Sequence, residues 1–265
     1  MNLKEMNTKT INTNNLYSNS TYSKVSDEYD AKQIAKLVTD NEISLAQLEK
    51  VFKQTQKMLT NYKCAMLEVE TKFKVLNEQF SLDHERNPIS SISTRLKSPQ
   101  SIAEKLRRKN IPLGLESIEK NMYDVAGVRV VCSFVDDVYF LADCILNQDD
   151  ITLIQKKDYI KEPKSNGYRS LHLIIEVPIF LEDGKRNMKV EVQLRTIAME
   201  FWANLDHKMR YKKDMDPVML TLTSNELYEC ASLSADLDHR MQAVRNMIEG
   251  SKQEDIYENN KNYNM

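Results

Sequence analysis

Residues 156–172 read KKDYIKEPKSNGYRSLH, and residues 188–195 read MKVEVQLR. The first stretch decides the fold, because a strand pattern over Ile151–Tyr159 breaks at the Asn166-Gly167 turn and resumes over Leu171–Val177. Both runs are rich in β-branched and aromatic residues, which suit a pleated, half-buried surface. The second stretch alternates strictly. Lys189, Glu191, Gln193 and Arg195 share one face of that strand, and Val190, Val192 and Leu194 the other. Cations, an aromatic ring, a tight glycine turn and a carboxylate thus meet in one region, where a polyphosphate and a flat base can be held side by side.

Working outward, Gly127–Phe134 is a further strand pattern, and Asp136–Leu146 reads as a helix between it and Ile151. Ser98-Pro99 is a cap followed by proline at the first helical position, where the missing N–H costs nothing. The helix it opens runs to about Asn110. Ser101, Lys105 and Arg108 fall on one side of it, with Ile102 and Leu106 a quarter-turn round on the inward side. Before it, Asp27 to about Phe80 repeats apolar residues at helical spacing (Leu45, Leu48, Val51, Phe52, Met58, Leu59, Tyr62), with Ser44 as an N-cap. The polar stretch Ser81–Ser93 separates this arm from the centre. Residues 1–26 are mostly Asn, Thr, Ser, Tyr and Lys, a composition that does not offset its ordering entropy and predicts a disordered tail. Two helices follow the last strand, Ile197–Lys213 and Asn225–Glu249, the second with Leu227, Cys230, Leu233, Leu237 and Met241 on an apolar stripe.

The chain has 265 residues, 41% hydrophobic and 29% charged, with a formal net charge of -2. That balance argues against a protein that coats nucleic acid. Locally it is different: Arg95, Lys97, Lys105, Arg107, Arg108 and Lys109 face Glu104 alone, a compact cationic patch suited to a small polyanion. The four cysteines show no paired spacing, so neither a zinc ribbon nor a disulfide framework is indicated and a reducing, cytoplasmic setting is expected. The first residues carry no apolar h-region and no later run nears the ~18 apolar residues of a membrane span, so a soluble, unexported protein is expected.

Asp124 stands just before the strand GVRVV, where a carboxylate projects from a sheet end toward a crevice. Asp124 and Glu191 can share one Mg²⁺, which prefers one or two carboxylates and fills its remaining positions with water and phosphate oxygens. Lys157, Lys161, Lys164 and Arg169 can neutralise phosphate, Tyr168 can stack on a base, and His172 can donate to a phosphate or sugar oxygen. Each has an ordinary reading when taken singly: a turn Asp, solvated lysines, a satisfied histidine, a strand with one wet face. Their order along the chain is what carries weight.

The strings TRLKSPQSIAEKL, DVAGVRVV, KDYIKEPKSNGYRSLH and EVQLRTIAMEFWANLDHK, in that order, closely resemble the RelA/SpoT-type alarmone synthetase domain. The likeness covers roughly residues 87–213, and the short flanks resemble the stand-alone small synthetases of the RelQ/RelP type. It implies an α+β fold: a mixed β-sheet with helices on both faces, nucleotidyltransferase-like, with flanking N- and C-terminal helices. The expected organisation is a disordered tail over 1–26, a helical arm over 27–86, the catalytic domain over 87–213, and a C-terminal helix and tail over 214–265 that serves oligomerisation. The implied donor site is Arg95, Lys97, Ser101, Lys105, Arg108 and Arg129, with Arg95 and Arg129 sandwiching the adenine of ATP. Asp124 and Glu191 match the metal and catalytic carboxylates, with Mg²⁺ as the cofactor. Lys157, Lys164, Tyr168, His172 and Gln193 match the side that holds GDP or GTP, with GMP as a further candidate acceptor. Glu200 stands where some relatives have Asn near the guanine edge. The segment Ile92-Ser93-Thr94 carries no match to the ring-bearing allosteric pocket of RelQ-type members.

The implied reaction is attack of the guanosine 3′-hydroxyl on the β-phosphorus of ATP, with AMP leaving. None of the four histidines is followed by Asp, so the HD metal pair of the family's hydrolases is absent. The implied partners are the two nucleotides and further copies of the chain, in a tetramer as in small relatives, with single-stranded RNA as a candidate regulator and neither DNA nor membrane. Two other classes stay open from the residues: a catalytically idle nucleotide or RNA sensor, and a nucleotidyltransferase-like enzyme with another acceptor.

Overall fold

A computed structural model describes residues 45–83, 86–210 and 216–262. The 1–26 tail, the start of the arm and the Ser44 cap lie outside the described residues. The elements in chain order are α1 (Leu45–Asp83), β1 (Ile89–Leu96), α2 (Pro99–Arg108), α3 (Leu115–Asn121), β2 (Ala126–Cys132), α4 (Val135–Leu146), β3 (Thr152–Asp158), β4 (Leu171–Leu181), β5 (Gly184–Thr196), α5 (Ile197–Arg210) and α6 (Pro217–Asn262). The chain divides into two compact units after Gln54. In the first, α1 begins with Val51 and Phe52 exposed. The second, from Thr55, holds every other element. No helix among the described residues is long and apolar enough to cross a membrane.

The five strands form one mixed sheet in the order β1-β2-β5-β4-β3. Only β2 and β5 run parallel; the other neighbours are antiparallel. Alternation puts Val128, Val130, Cys132, Val192, Leu194, Leu173 and Ile175 on one face, where all are buried at 1% exposure or less. α1 brings Tyr62, Val69 and Phe73 to that core, and α4 brings Val138, Leu141 and Ile145. Each such side chain stabilises the fold by about 1.5–3 kcal/mol relative to leaving it in water. The α+β class with a mixed sheet is as expected.

β1 departs from the reading of Ser81–Ser93 as a polar separator. Its sequence ISSISTRL carries serines on the wet face and too few apolar residues to signal a strand, yet it pairs with β2 as an edge. β3, the opposite edge, is exposed along most of its length and carries Lys156, Lys157 and Asp158 at its end, charges of the kind that blunt an open edge. α3 was not anticipated either. Ser98 does cap α2: its Oγ accepts the Ser101 amide, Pro99 follows, and Ile102 and Leu106 are buried. α6 begins earlier and ends later than Asn225–Glu249: it starts at Pro217, a favourable first helical position, and continues through Gly250, whose cost of about 1 kcal/mol does not end it. The expected Ile197–Lys213 helix is described to Arg210.

α5 and α6 pack on each other. Trp202, Leu227 and Ala231 are buried together with Tyr168 against them, and the Trp202 indole donates to the Leu227 carbonyl at 2.8 Å. Gly167 meets α6 so closely that a Cβ there would lie 2.4 Å from the Ala231 Cβ, and its φ of +85° independently favours glycine.

Candidate active site

Register assembles the polar face of the sheet. Ser93 pairs with Arg129, Arg129 with Gln193, Gln193 with His172 and His172 with Lys157, so a single cross-strand row traverses the whole sheet. The neighbouring row runs Arg95, Gly127, Glu191, Ile174, Gln155. At about 4.8 Å between strands, Arg95 and Glu191 stand about 10 Å apart across Gly127. A cavity of about 410 Å³ opens over this part of the sheet, lined by Arg95, Lys97, Asp124, Arg129, Glu191 and Gln193 among others. Gly127 leaves its floor bare between the two arginines.

Asp124 precedes β2 and lines the cavity. Lys97 and Lys105 both donate to its Oδ2 at 2.6 Å. Burial pushes the carboxyl up, but the hydrogen bonds from Lys105 and Lys97 and their charges outweigh it and hold it below the usual carboxylate range. Its other oxygen, Oδ1, is buried with no hydrogen-bond partner. A hard cation supplies what that atom lacks, so the donor set fits Mg²⁺. Among the described residues no group of three or more His, Cys, Asp or Glu could hold a metal ion.

Of the other expected donor residues, Ser101 sits in the first turn of α2, where its amide donates to Ser98 Oγ and its hydroxyl oxygen accepts from the Ser98 hydroxyl. Arg108 is exposed at the end of the same helix. The structure brings Arg95, Lys97 and Arg129 around one cavity, ties Lys105 to Asp124 in its wall, and places Ser101 and Arg108 on the same helix as Lys105.

Glu191 lies at the middle of the sheet. Its Oε1 is 3.2 Å from His172 Nδ1, and its Oε2 accepts from Gln193 Nε2 at 2.9 Å. Burial raises its pKa, but the contacts with His172 and Gln193 lower it further than burial raises it, so it is ionised at neutral pH. Beyond His172 a ring of hydrogen bonds closes. The Tyr168 hydroxyl is 2.7 Å from His172 Nε2 and accepts from Arg195 Nη2 at 2.6 Å, while the same nitrogen donates to Gln193 Oε1 at 3.2 Å. Because Tyr168 accepts from Arg195, its own proton is free for His172 Nε2. That leaves an N–H at Nδ1 to orient Glu191.

Tyr168, Tyr159 and His172 pack edge to face, with ring centroids 5.3 to 6.0 Å apart. Lys164 Nζ stands 4.6 Å from both tyrosine ring centroids, and the Arg195 guanidinium stands 5.1 Å from that of Tyr168. Partial burial draws the Lys164 pKa down, against Glu191 and with Lys157 and Arg195. Lys157 is exposed at the end of the row.

Glu200, expected near the guanine edge, is held between two arginines. Its two oxygens are engaged by Arg129 Nη1 at 2.8 Å and Arg195 Nη1 at 2.7 Å, with Asn204 donating at 2.9 Å. Arg195 itself was given no role by sequence reasoning, yet it is 4% exposed and touches Tyr168, Gln193, Ser170 and Glu200. The alternation of MKVEVQLR had already put it on the face of Glu191. Tyr159 was also missed, since only the register of β3 on β4 brings it to His172.

Comparison with known proteins decides the family. The chain is 39% identical over 203 residues to the GTP pyrophosphokinase YwaC of Bacillus subtilis, covering 76% of this chain and 95% of that relative. This chain belongs to the RelA/SpoT family of synthetases. Residues 94–216 match the family model described as the region found in RelA / SpoT proteins. Small alarmone synthetase 1 of Bacillus subtilis, solved bound to its product pppGpp, is 33% identical with a TM-score of 0.68, over 74% of this chain and 98% of that one. The same relative bound to AMPCPP matches with a TM-score of 0.64 and 32% identity, over 75% of this chain and 99% of that one. Within the family this chain groups with the small alarmone synthetases, and its open mixed sheet is their fold.

Proposed function

We propose that this small alarmone synthetase is a GTP pyrophosphokinase that moves the β,γ-pyrophosphate of ATP to the 3′-hydroxyl of GDP or GTP and makes (p)ppGpp for the stringent response. Adenine lies over Gly127 between the guanidinium planes of Arg95 and Arg129, a geometry that planar, delocalised cations favour. Lys97, Lys105, Arg108 and the first turn of α2 with Ser101 take the triphosphate. On the other side of β5, Tyr168 carries the guanine, with Lys157 and Lys164 around the acceptor phosphates; His172, expected there too, has its ring nitrogens on Tyr168 and Glu191 and orients the carboxylate instead.

The 3′-oxygen forms its bond to the β-phosphorus as the bond from that phosphorus to the bridging oxygen of the α-phosphate breaks. AMP leaves with the bridging oxygen, and the hydroxyl proton passes to Glu191. His172 and Gln193 hold that carboxylate at the junction of the two halves, so the base is oriented before the acceptor arrives. Asp124, with Glu191 as the second carboxylate, would hold Mg²⁺, which when bound neutralises charge on the transferring phosphates. The observation that carries the reading is the position of Glu191: it lies in the wall of the Arg95–Arg129 cavity and is hydrogen-bonded to His172 of the acceptor segment.

The chain makes alarmone and does not degrade it, since it lacks a His-Asp pair. It works in the cytoplasm as a closed homo-oligomer, a tetramer. Leu233, Leu237, Met241, Val244 and Ile248 support assembly: they follow one another along α6 at heptad-like spacing and are each 47–70% exposed. The test is incubation with labelled ATP, Mg²⁺ and GDP, GTP or GMP, with the product identified by its phosphate positions. Glu191→Gln should abolish transfer and leave binding of both nucleotides in place. AMP release that needs no guanosine nucleotide, or full turnover by Glu191→Gln, would sink the assignment.

A further inference from the structure

Arg129 and Tyr168 stand on opposite sides of β5 and do not touch, yet one carboxylate is tied to both. Glu200 takes Arg129 on Oε1 at 2.8 Å and Arg195 on Oε2 at 2.7 Å, and Arg195 passes the connection to the Tyr168 hydroxyl at 2.6 Å. Every link is a charge-assisted hydrogen bond, shorter and stiffer than a neutral one. Arg195 has no latitude to act otherwise. It is 4% exposed, its Nε lies 3.4 Å from Ser170 Oγ, and its guanidinium sits over the Tyr168 ring. Arg129 is held less completely: its Nε is buried with no hydrogen-bond partner, so Glu200 fixes one end of its guanidinium. Asn204 donates to the same Glu200 oxygen at 2.9 Å and sets the carboxylate in place.

We propose that Glu200 is a positioning residue that couples the two nucleotide sites, so that a purine seated on Arg129 tightens binding of the purine seated on Tyr168, and the reverse. The coupling rests on the donor and acceptor assignment made above. A base laid flat on Arg129 restricts that guanidinium, which restricts Glu200, then Arg195, then the tyrosine ring. The ordering cost is met by whichever nucleotide arrives first, and the second binds to a bridge already still. Linkage requires the effect to be equal in both directions. An amide at position 200 has only one acceptor oxygen and breaks the bridge at one arginine. An aspartate keeps the charge but is a methylene too short to span both. For a synthetase that must hold both substrates before transfer, such coupling favours the ternary complex over wasteful binary ones.

The test uses the whole chain with Mg²⁺, GDP and AMPCPP, whose methylene replaces the bridging oxygen that transfer must break, so both sites fill without reaction. The readout is the Kd of each nucleotide alone divided by its Kd with the other saturating. In the wild type this ratio should be about fivefold or more, the usual floor for allosteric coupling. In Glu200→Gln and in Glu200→Asp it should fall to near one, with each nucleotide still binding alone. A merely structural role would weaken both single affinities and leave the ratio unchanged. A wild-type ratio near one, or a wild-type ratio retained in either variant that folds, overturns the coupling. Failure of the wild type to bind either nucleotide removes the donor and acceptor assignment itself, and the coupling with it.

Discussion

Gly167 packs closely against α6, and its replacement separates two physical costs. In Gly167→Ala the new methyl would sit 2.4 Å from the Ala231 Cβ, a distance that real Cβ contacts do not reach, and the backbone keeps φ at +85°. The left-handed backbone costs an alanine about 1–2 kcal/mol. Relieving the overlap by pushing the loop off α6 costs about 1–3 kcal/mol more, for a total near 2–5 kcal/mol. Ala231→Gly removes the second cost and leaves the first, while itself costing about 1 kcal/mol as a glycine inside a helix. The double variant should therefore be about 1–3 kcal/mol more stable than the two single effects added together.

Urea unfolding measures this directly, and the one tryptophan in the chain supplies the signal. Trp202 is 5% exposed in the cluster with Ala231 and Tyr168, so its emission should shift to the red when the loop or α6 moves away. The same loop carries Lys164 and Tyr168, so Gly167→Ala should raise KM for the guanosine nucleotide several times more than KM for ATP. Additive stabilities across the three variants would refute the contact. An equal rise in both KM values would refute the assignment of this loop to the acceptor.

Gly127→Ala tests the donor floor: its Cβ would meet only the Arg95 and Glu191 carbonyl oxygens, at 3.5 and 3.9 Å, so stability should change by less than about 1 kcal/mol. The methyl projects between Arg95 and Arg129, and KM for ATP should rise with that for GDP unchanged. Lys105→Met removes one of two ammonium groups from Asp124 Oδ2. At an interaction worth about 1–4 kcal/mol, metal binding without nucleotide should tighten about fivefold or more, read with Mn²⁺ by electron paramagnetic resonance. Unchanged or weaker binding would exclude Asp124 as the ligand that the lysine competes for. Asp238 is 8% exposed and its pKa is raised from 3.8 by burial, despite the hydrogen bond from Thr196. A carboxyl raised on folding favours the native state while protonated, and that contribution is lost as pH climbs from 3.8 through the raised value. Asp238→Asn should accordingly gain stability relative to the wild type between pH 4 and pH 7 in urea melts, and a relative loss would show the carboxylate acting as a charged partner.

Local chemistry made much of this molecule legible. Ser98-Pro99 announced α2, β-branched runs announced β2, β4 and β5, and the alternation in MKVEVQLR sorted Glu191, Gln193 and Arg195 from the valines beneath them. β1 was silent because Ser91 and Ser93 carry no hydrophobic signal, and an edge strand on a wet face needs none. The same reason hid the role of Arg195. A buried arginine is tolerable only beside a partner, and its partner, Glu200, comes from the next helix, where the resemblance made it a candidate for the guanine edge.

What no local pattern shows is register, and register is where the site is made. If β5 slipped by one residue against β2, Glu191, Gln193 and Arg195 would turn into the core and Val190, Val192 and Leu194 would turn to the nucleotides. The apolar face forbids that slip, since each of those three side chains is fully buried on the α1 and α4 side. Packing on one face therefore sets the chemistry on the other. The parallel pairing of β2 with β5 brings Gly127 opposite Glu191 and Arg129 opposite Gln193, while the antiparallel pairing of β4 with β5 brings His172 opposite Gln193. On the proposed assignment a donor strand and an acceptor strand thus flank the strand that carries Glu191, since β5, lying between β2 and β4, is the one strand hydrogen-bonded to both.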